Sequence, residues 1–294
     1  MIKRGVYAAG LSVLSEDLSL NIDLTIEHAS TLINKGLHGV FFFGSTGQSQ
    51  LISLSEKKNL ISKLSTHKKR KNFFLGTGTN SLNENIDIIK YAMEYSFNSF
   101  LIMPPAYYKG NSNEGVFKFY SSIISKIPKV KIILYNFEKL SGYKFTHEAV
   151  INLVKAFPKN IIGCKDSGYN LYEKLKIPNF LIFPGSEAKL LKGLELGCAG
   201  CISAVTNVTH DLARKVFDDF ENKKEQTKNK KLITVRETFD QFNLISALHS
   251  FISEADVAYK NLLPPLILLS AEEKKLLFSN LEKIEFIPNK TIAA

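Results

Sequence analysis

Three short runs of the sequence bring together residue types suited to carbonyl chemistry. Ile161-Ile162-Gly163-Cys164 stops at Lys165-Asp166-Ser167, Ile132-Ile133-Leu134 stops at Tyr135-Asn136, and Val40-Phe41-Phe42-Phe43 stops at Gly44-Ser45-Thr46-Gly47-Gln48. Most lysines of the chain flank polar neighbours, whereas Lys165 closes a run of apolar residues and glycine. Strand alternation sets Ile161, Gly163 and Lys165 on one face, with Ile162 and Cys164 on the other. If that face is the interior, Gly163 leaves room for the long side chain. Enclosure disfavours a charged amine, and the neutral amine can attack a carbonyl carbon to form a Schiff base. The alternative is a lysine that snorkels outward or pairs with Asp166. Tyr135 shares a face with Ile133 by the same alternation. On a strand about 4.8 Å away, its phenol can carry protons to and from a carbinolamine, or it is a core tyrosine with a satisfied hydroxyl. The Gly44 to Gly47 turn offers two hydroxyls and several backbone N–H groups, a cradle for a carboxylate. As a bare pattern any tight strand-to-helix turn favours those residues.

Other chemistries find less support. No Gly-Lys-Ser/Thr follows the first glycine turn, and Gly76-Thr77-Gly78-Thr79 lacks the spacing of a dinucleotide loop. Cys164, Cys198 and Cys201 are too few for a disulfide framework, which points to a reducing compartment. Cys198 and Cys201 have C-x-x-C spacing but no second pair, so they read as small buried hydrophobes. The six histidines, at 28, 38, 67, 147, 210 and 249, show no metal-ligand spacing, and no metal is expected. The 38 Lys+Arg against 28 Asp+Glu give a formal charge of +10, which raises the question of a nucleic-acid or membrane partner. The basic runs Lys68-Lys69-Arg70-Lys71 and Lys223 to Lys231 fall between apolar segments and read as solvated turns. There is no apolar run of about 18 residues, and Met1-Ile2-Lys3-Arg4 leads into no signal-type region. A cytoplasmic protein with no nucleic-acid and no membrane partner is expected.

The elements that must position these residues repeat along the chain. Apolar β-rich runs occur at Val6 to Leu11, Gly39 to Phe43, Asn72 to Gly76, Ser99 to Met103, Lys131 to Tyr135, Ile161 to Lys165, Phe180 to Phe183 and Gly200 to Ala204. Amphipathic stretches such as Leu54 to Ser65, Leu82 to Tyr95 and Thr146 to Phe157 lie between them. Eight strands, each followed by a helix, predict a (β/α)8 TIM barrel spanning 1–222, and a doubly wound sheet, which usually has fewer strands, is the alternative. The rhythm then stops, and helical patterns at Leu232 to Phe251 and Ala271 to Ile284 predict a C-terminal helical appendage over 223–294. In such a barrel the site is built at the C-terminal strand ends, where all three runs terminate.

Taken together, these runs resemble the N-acetylneuraminate lyase / dihydrodipicolinate synthase family of pyruvate-dependent class I aldolases, over nearly the whole chain. Gly44-Ser45-Thr46-Gly47-Gln48 is similar to its G-[ST]-T-G-E, Tyr135-Asn136 to its Y-N, and Gly163-Cys164-Lys165-Asp166-Ser167 to its G-x-K-[DE]-[ST]. Pro104-Pro105-Ala106-Tyr107-Tyr108 resembles its P-x-Y-Y element and Gly185-Ser186-Glu187 its later G-[SD]-[DE] turn. The resemblance implies that Lys165 forms the Schiff base with pyruvate or another 2-oxo acid, with no further cofactor. It implies that Tyr135 shuttles protons, that Thr46 relays to it, and that Ser45, Thr46 and Gly47 hold the substrate carboxylate. Tyr108, or else Tyr107, would complete the relay from a neighbouring subunit of a homotetramer built as a dimer of dimers. Gly185, Glu187 and Ile202 would line the rest of the pocket.

Departures from the family pattern bear on the substrate. The synthases carry an arginine shortly after Y-N for the carboxylate of aspartate semialdehyde, and here that place holds Leu140. Leucine cannot form the forked, charge-assisted pair that an arginine makes, and Lys139 offers only a point charge. Leu140-Ser141-Gly142 and the serine of the glycine turn lie closer to the sialic-acid lyases, yet Gly185-Ser186-Glu187 lacks the two consecutive acids those lyases use for sugar hydroxyls. Glu138 stands for a family proline and Leu11-Ser12-Val13 for Thr-Pro-Phe, without explanation. The expected activity is aldol cleavage or formation of a 2-keto-3-deoxy or related 2-oxo acid. Dihydrodipicolinate synthase activity and a non-catalytic ligand-binding homologue are the alternatives.

Overall fold

The computed structural model of the protein describes residues 2–287. Met1 and 288–294, the end of the expected appendage, lie outside them. In chain order the elements are β1 (Gly5–Ala9), α1 (Ile22–Asn34), β2 (Gly39–Phe42), α2 (Leu54–Ser65), β3 (Phe73–Gly76), α3 (Leu82–Glu94), β4 (Ser99–Ile102), α4 (Asn113–Lys126), β5 (Lys131–Asn136), α5 (Glu138–Ser141), α6 (His147–Ala156), β6 (Ile161–Asp166), β7 (Leu181–Pro184), α7 (Leu190–Glu195), β8 (Gly200–Ser203), α8 (Thr206–Glu221), α9 (Asn229–Phe239), α10 (Leu244–Ile252) and α11 (Ala271–Glu282). The strands form one eight-stranded sheet in the order β7-β6-β5-β4-β3-β2-β1-β8. The backbone N–H of Ala199, just before β8, donates to the Ile182 carbonyl of β7 at 2.8 Å and brings the two edges together. The architecture is a (β/α)8 barrel.

Alternation along the strands separates two cores. Tyr7, Ala9, Phe41, Phe74, Leu101, Ile133, Tyr135, Phe183 and Ile202 fill the interior. Their neighbours Val6, Ala8, Val40, Phe42, Leu75, Ile132 and Leu134 pack outward against the helices. Each large side chain so buried contributes about 1.5–3 kcal/mol. The helices start where short polar residues cap them: Asn21, Ser53, Ser81, Ser112 and Thr146 each accept a backbone N–H of the first turn, and Ser53 with Glu56 makes a reciprocal capping box. A third core joins Leu11, Val13 and Val208 to Val235, Phe239, Leu248, Phe251 and Leu277, and so fastens α9, α10 and α11 to the barrel end.

Three expectations are corrected. The strand pairing is irregular between Ile132 and Ile133, which pair with Ile161 and Gly163 and leave Ile162 extra. Ile161 therefore belongs to the outer core and Ile162 packs on the inner one, opposite to simple alternation. Lys165 still points inward because the irregularity lies before it. Second, no helix follows β6. The Asp166 carboxylate accepts the backbone N–H groups of Leu171 and Tyr172, both at 2.9 Å, and holds that stretch in turns. Third, the expected helix from Leu232 to Phe251 is two helices. Asn243 caps α10 by accepting the Ser246 N–H at 3.2 Å, and the break lets Phe239 and Phe251 meet edge to face at 5.5 Å.

Candidate active site

Lys165 is the last residue but one of β6 and Tyr135 the last but one of β5, paired directly across the ladder. Both are buried, and the Lys165 Nζ donates to the Tyr135 hydroxyl at 3.3 Å while lying 4.3 Å from the ring centre. That hydroxyl in turn shares a 2.9 Å hydrogen bond with Ser45 Oγ, in the turn after β2. An amine, a phenol and an aliphatic hydroxyl thus stand in line at the C-terminal mouth of the barrel.

The strand ends are held by polar contacts that do not face the opening. Asn136 donates to Asp166 at 2.7 Å and to Asn170 at 2.9 Å, and accepts the Phe145 N–H at 3.1 Å. With Oδ1 taken by Asn136 and Oδ2 by the Leu171 and Tyr172 N–H groups, Asp166 makes no pair with Lys165. Gly163 is required by space: a Cβ there would lie 2.4 Å from the Leu181 carbonyl oxygen on β7. This close approach of strands, beyond the room left for Lys165, explains the glycine.

A cavity of about 780 Å³ opens above Lys165. Ser45, Thr46, Tyr135, Leu140, Lys165 and Gly185 line it, and a recess of about 150 Å³ adjoins it beside Ala106. The other expected residues are placed differently. Thr46 is buried at the cavity wall, and the hydroxyl bonded to Tyr135 is that of Ser45. Gly47 packs behind the turn, its carbonyl accepting Ser12 Oγ at 2.7 Å. Ile202 lies in the inner core below the cavity. Tyr107 and Tyr108 are 83% and 75% exposed and stand outside the cavity, their rings edge to face at 5.2 Å.

Glu187 is fully buried and faces away from the opening. It accepts Thr209 Oγ1 at 3.0 Å, Arg236 Nη1 at 3.1 Å and the Ser203 hydroxyl. Arg236, on α9, also binds Asp240 one turn later, with Nε and Nη2 at 2.9 and 2.8 Å. Burial opposes the charge of Arg236, but Glu187 and Asp240 outweigh it and hold the guanidinium pKa above its ordinary value. Arg236, Asp240 and Asn243 line the far side of the cavity with Tyr169 and Gln50. The sequence does carry a signal for Arg236: it falls on the same face of α9 as Leu232, Val235 and Phe239, all buried.

Among the described residues no cluster of His, Cys, Asp and Glu has metal-site geometry, and no helix is long and apolar enough to cross a membrane. All three cysteines are buried and free.

The chain is similar to known proteins over most of its length. The chain is 27% identical over 289 residues to an uncharacterised DapA-like lyase of Chloroflexus aurantiacus, covering 96% of this chain and 97% of that protein. It is 29% identical over 215 residues to the 2-dehydro-3-deoxy-D-gluconate/2-dehydro-3-deoxy-phosphogluconate aldolase of Picrophilus torridus, covering 70% of this chain and 77% of that one. The fold matches the crystal structure of dihydrodipicolinate synthase from Agrobacterium tumefaciens with a TM-score of 0.87 at 24% identity, over 96% and 100% of the two chains. The model of the dihydrodipicolinate synthetase family matches residues 3–284. With that match running through the barrel and its C-terminal helices, the chain belongs to the dihydrodipicolinate synthetase family, lyases of the class I aldolase type.

Proposed function

We propose that the protein cleaves, or in reverse forms, a 2-keto-3-deoxy acid or a related 2-oxo acid through a Schiff base on Lys165. The observation that carries this reading is the contact line Lys165 Nζ, Tyr135 hydroxyl, Ser45 Oγ. The amine attacks the C2 carbonyl, Tyr135 supplies the proton that lets water leave, and the imine forms. In cleavage, loss of the C4 hydroxyl proton breaks the C3–C4 bond and sends its electron pair into the iminium. The aldehyde departs and the pyruvate enamine remains, to be protonated at C3 and hydrolysed. Tyr135, refilled through Ser45, carries these protons. Ser45 and Thr46 line the cavity, and hydroxyls in a tight turn there suit a carboxylate. A homotetramer in which Tyr107 or Tyr108 reaches a neighbouring site would account for the exposure of both rings.

The far side of the cavity supports a hydroxylated aldehyde half. Asp240, held by Arg236, and Asn243 present acceptors and donors there, while Leu140 gives no charge for a carboxylate. Condensation of pyruvate with aspartate semialdehyde is the second reading, favoured by Lys139, which also lines the cavity. A homologue that only binds ligand would have no use for the amine and phenol in line.

The test is to incubate the protein with pyruvate and borohydride and to map the added mass. An adduct on the Lys165 peptide is expected; an adduct on another lysine, or none, overturns the Schiff-base assignment. Turnover of a panel of 2-keto-3-deoxy acids, set against aspartate semialdehyde with pyruvate, then distinguishes the two substrates.

A further inference from the structure

A large basic concavity lies at the other end of the barrel. A cavity of about 870 Å³ opens at the N-terminal strand ends, lined by Lys3, Arg4, Arg70, Lys71, Lys129 and Lys131 and, among the described residues, by no aspartate or glutamate. These cations come from three separate segments, before β1, before β3, and around the start of β5. Its floor is Tyr7 and Phe74, part of the inner aromatic layer that separates it from Lys165.

The cations are weakly neutralised. Arg4 pairs with Glu221 at 2.6 Å. Arg70 lies over the Phe97 ring at 4.8 Å and donates to the Tyr95 carbonyl, and Lys131 donates to that of Lys159. For Lys3, Lys71 and Lys129 no described carboxylate is in reach of the ammonium. A concave wall of one sign over an apolar floor concentrates the field and draws in counter-charge. Ammonium groups without a carboxylate partner, beside two guanidinium groups that are only partly engaged, suit the tetrahedral oxygens of phosphate better than a lone carboxylate. The run Lys68 to Lys71, which by sequence is only a solvated turn, sends Arg70 and Lys71 to this wall.

We propose that the N-terminal mouth of the barrel is a binding site for a multivalent phosphate-type oxyanion, distinct from the Lys165 cavity and independent of the aldolase reading. Inorganic pyrophosphate is the probe, titrated calorimetrically into the full chain. One saturable site is expected. Lys71→Glu/Lys129→Glu, two exposed positions, should weaken it by more than about tenfold. Lys224→Glu/Lys228→Glu, an equal charge change in the other basic run, should leave it within about twofold. Protein whose Lys165 has been capped with pyruvate and borohydride should bind as well as uncapped protein; if no adduct forms, Lys165→Ala serves in its place. Absence of a saturable site, equal weakening by both double variants, or loss of binding on capping or in Lys165→Ala would each overturn the proposal. Thermal unfolding of the variants checks that the fold is retained.

Discussion

Glu187 and Arg236, 49 residues apart, form a buried ion pair at 3.1 Å that ties the turn after β7 to α9. The pair decides how the far wall of the cavity is built, because the same guanidinium holds Asp240. Removing one partner leaves the other charge buried and unmatched. Arg236→Ala or Glu187→Ala should therefore lower stability by about 3–5 kcal/mol, read by urea unfolding. Glu187→Leu/Arg236→Met, which removes both charges, should recover most of that loss. If the double variant is no more stable than either single one, the pair does not carry the effect.

Tyr135 should matter to turnover more than to the fold. Tyr135→Phe keeps the buried ring but loses the hydroxyl that meets Lys165 and Ser45, and should reduce kcat by about 10²–10⁴-fold with little change in melting temperature. Ser45→Ala should cost less, because water can replace an aliphatic hydroxyl at a half-buried position. Thr46→Val should slow proton transfer less than Ser45→Ala, since of these two hydroxyls it is that of Ser45 that bonds the phenol. A reversed order of the two would refute the assignment of the relay.

Leu140 gives a direct test of specificity. It is 44% exposed at the cavity edge, so an arginine fits there without repacking the core. Leu140→Arg should raise kcat/KM for aspartate semialdehyde, by about 10–150-fold if the forked pair contributes about 1.5–3 kcal/mol, and lower it for hydroxylated 2-oxo acids. Steady-state kinetics on both substrates decides this.

Stability should fall on the acid side through two buried histidines. Burial pushes His28 and His249 down to about 4, and the hydrogen bonds to Asn207 and the Tyr259 carbonyl offset this only in part. In the unfolded chain each titrates near 6.5. Above that pH both states hold the neutral ring and the native state keeps its full stability. As pH falls from about 6.5 toward 4 the unfolded chain takes up protons that the native state refuses, and each histidine withdraws up to about 3 kcal/mol. Urea unfolding across this window should show the slope, and His249→Asn should flatten it. An unchanged slope in that variant would place the acid sensitivity elsewhere.

Gly163 should tolerate no side chain. A Cβ would meet the Leu181 carbonyl oxygen at 2.4 Å, so Gly163→Ala must spread β6 from β7. A loss of about 1–3 kcal/mol is expected, together with a disproportionate fall in activity because Lys165 is displaced with its strand. A variant of native stability and activity would show that the strands part without cost.

The sequence by itself determined the eight strands, the barrel they close, and the lysine and tyrosine at neighbouring strand ends. Alternation is a local property of the chain, and an apolar run that stops at a polar residue marks the end of a buried strand wherever it folds. Tertiary structure decided the rest. The extra residue at Ile162 follows from how β6 matches β5, which reverses the facing of Ile161 without altering a single residue type. Ser45 and not Thr46 meets Tyr135 because two segments 90 residues apart converge with one particular turn geometry. Glu187, read from its motif as a pocket residue, is turned inward by an arginine on a helix of another part of the chain. Charge pairing and hydroxyl reach depend on distances of a few ångströms between remote segments, and those distances exist only once the chain has folded.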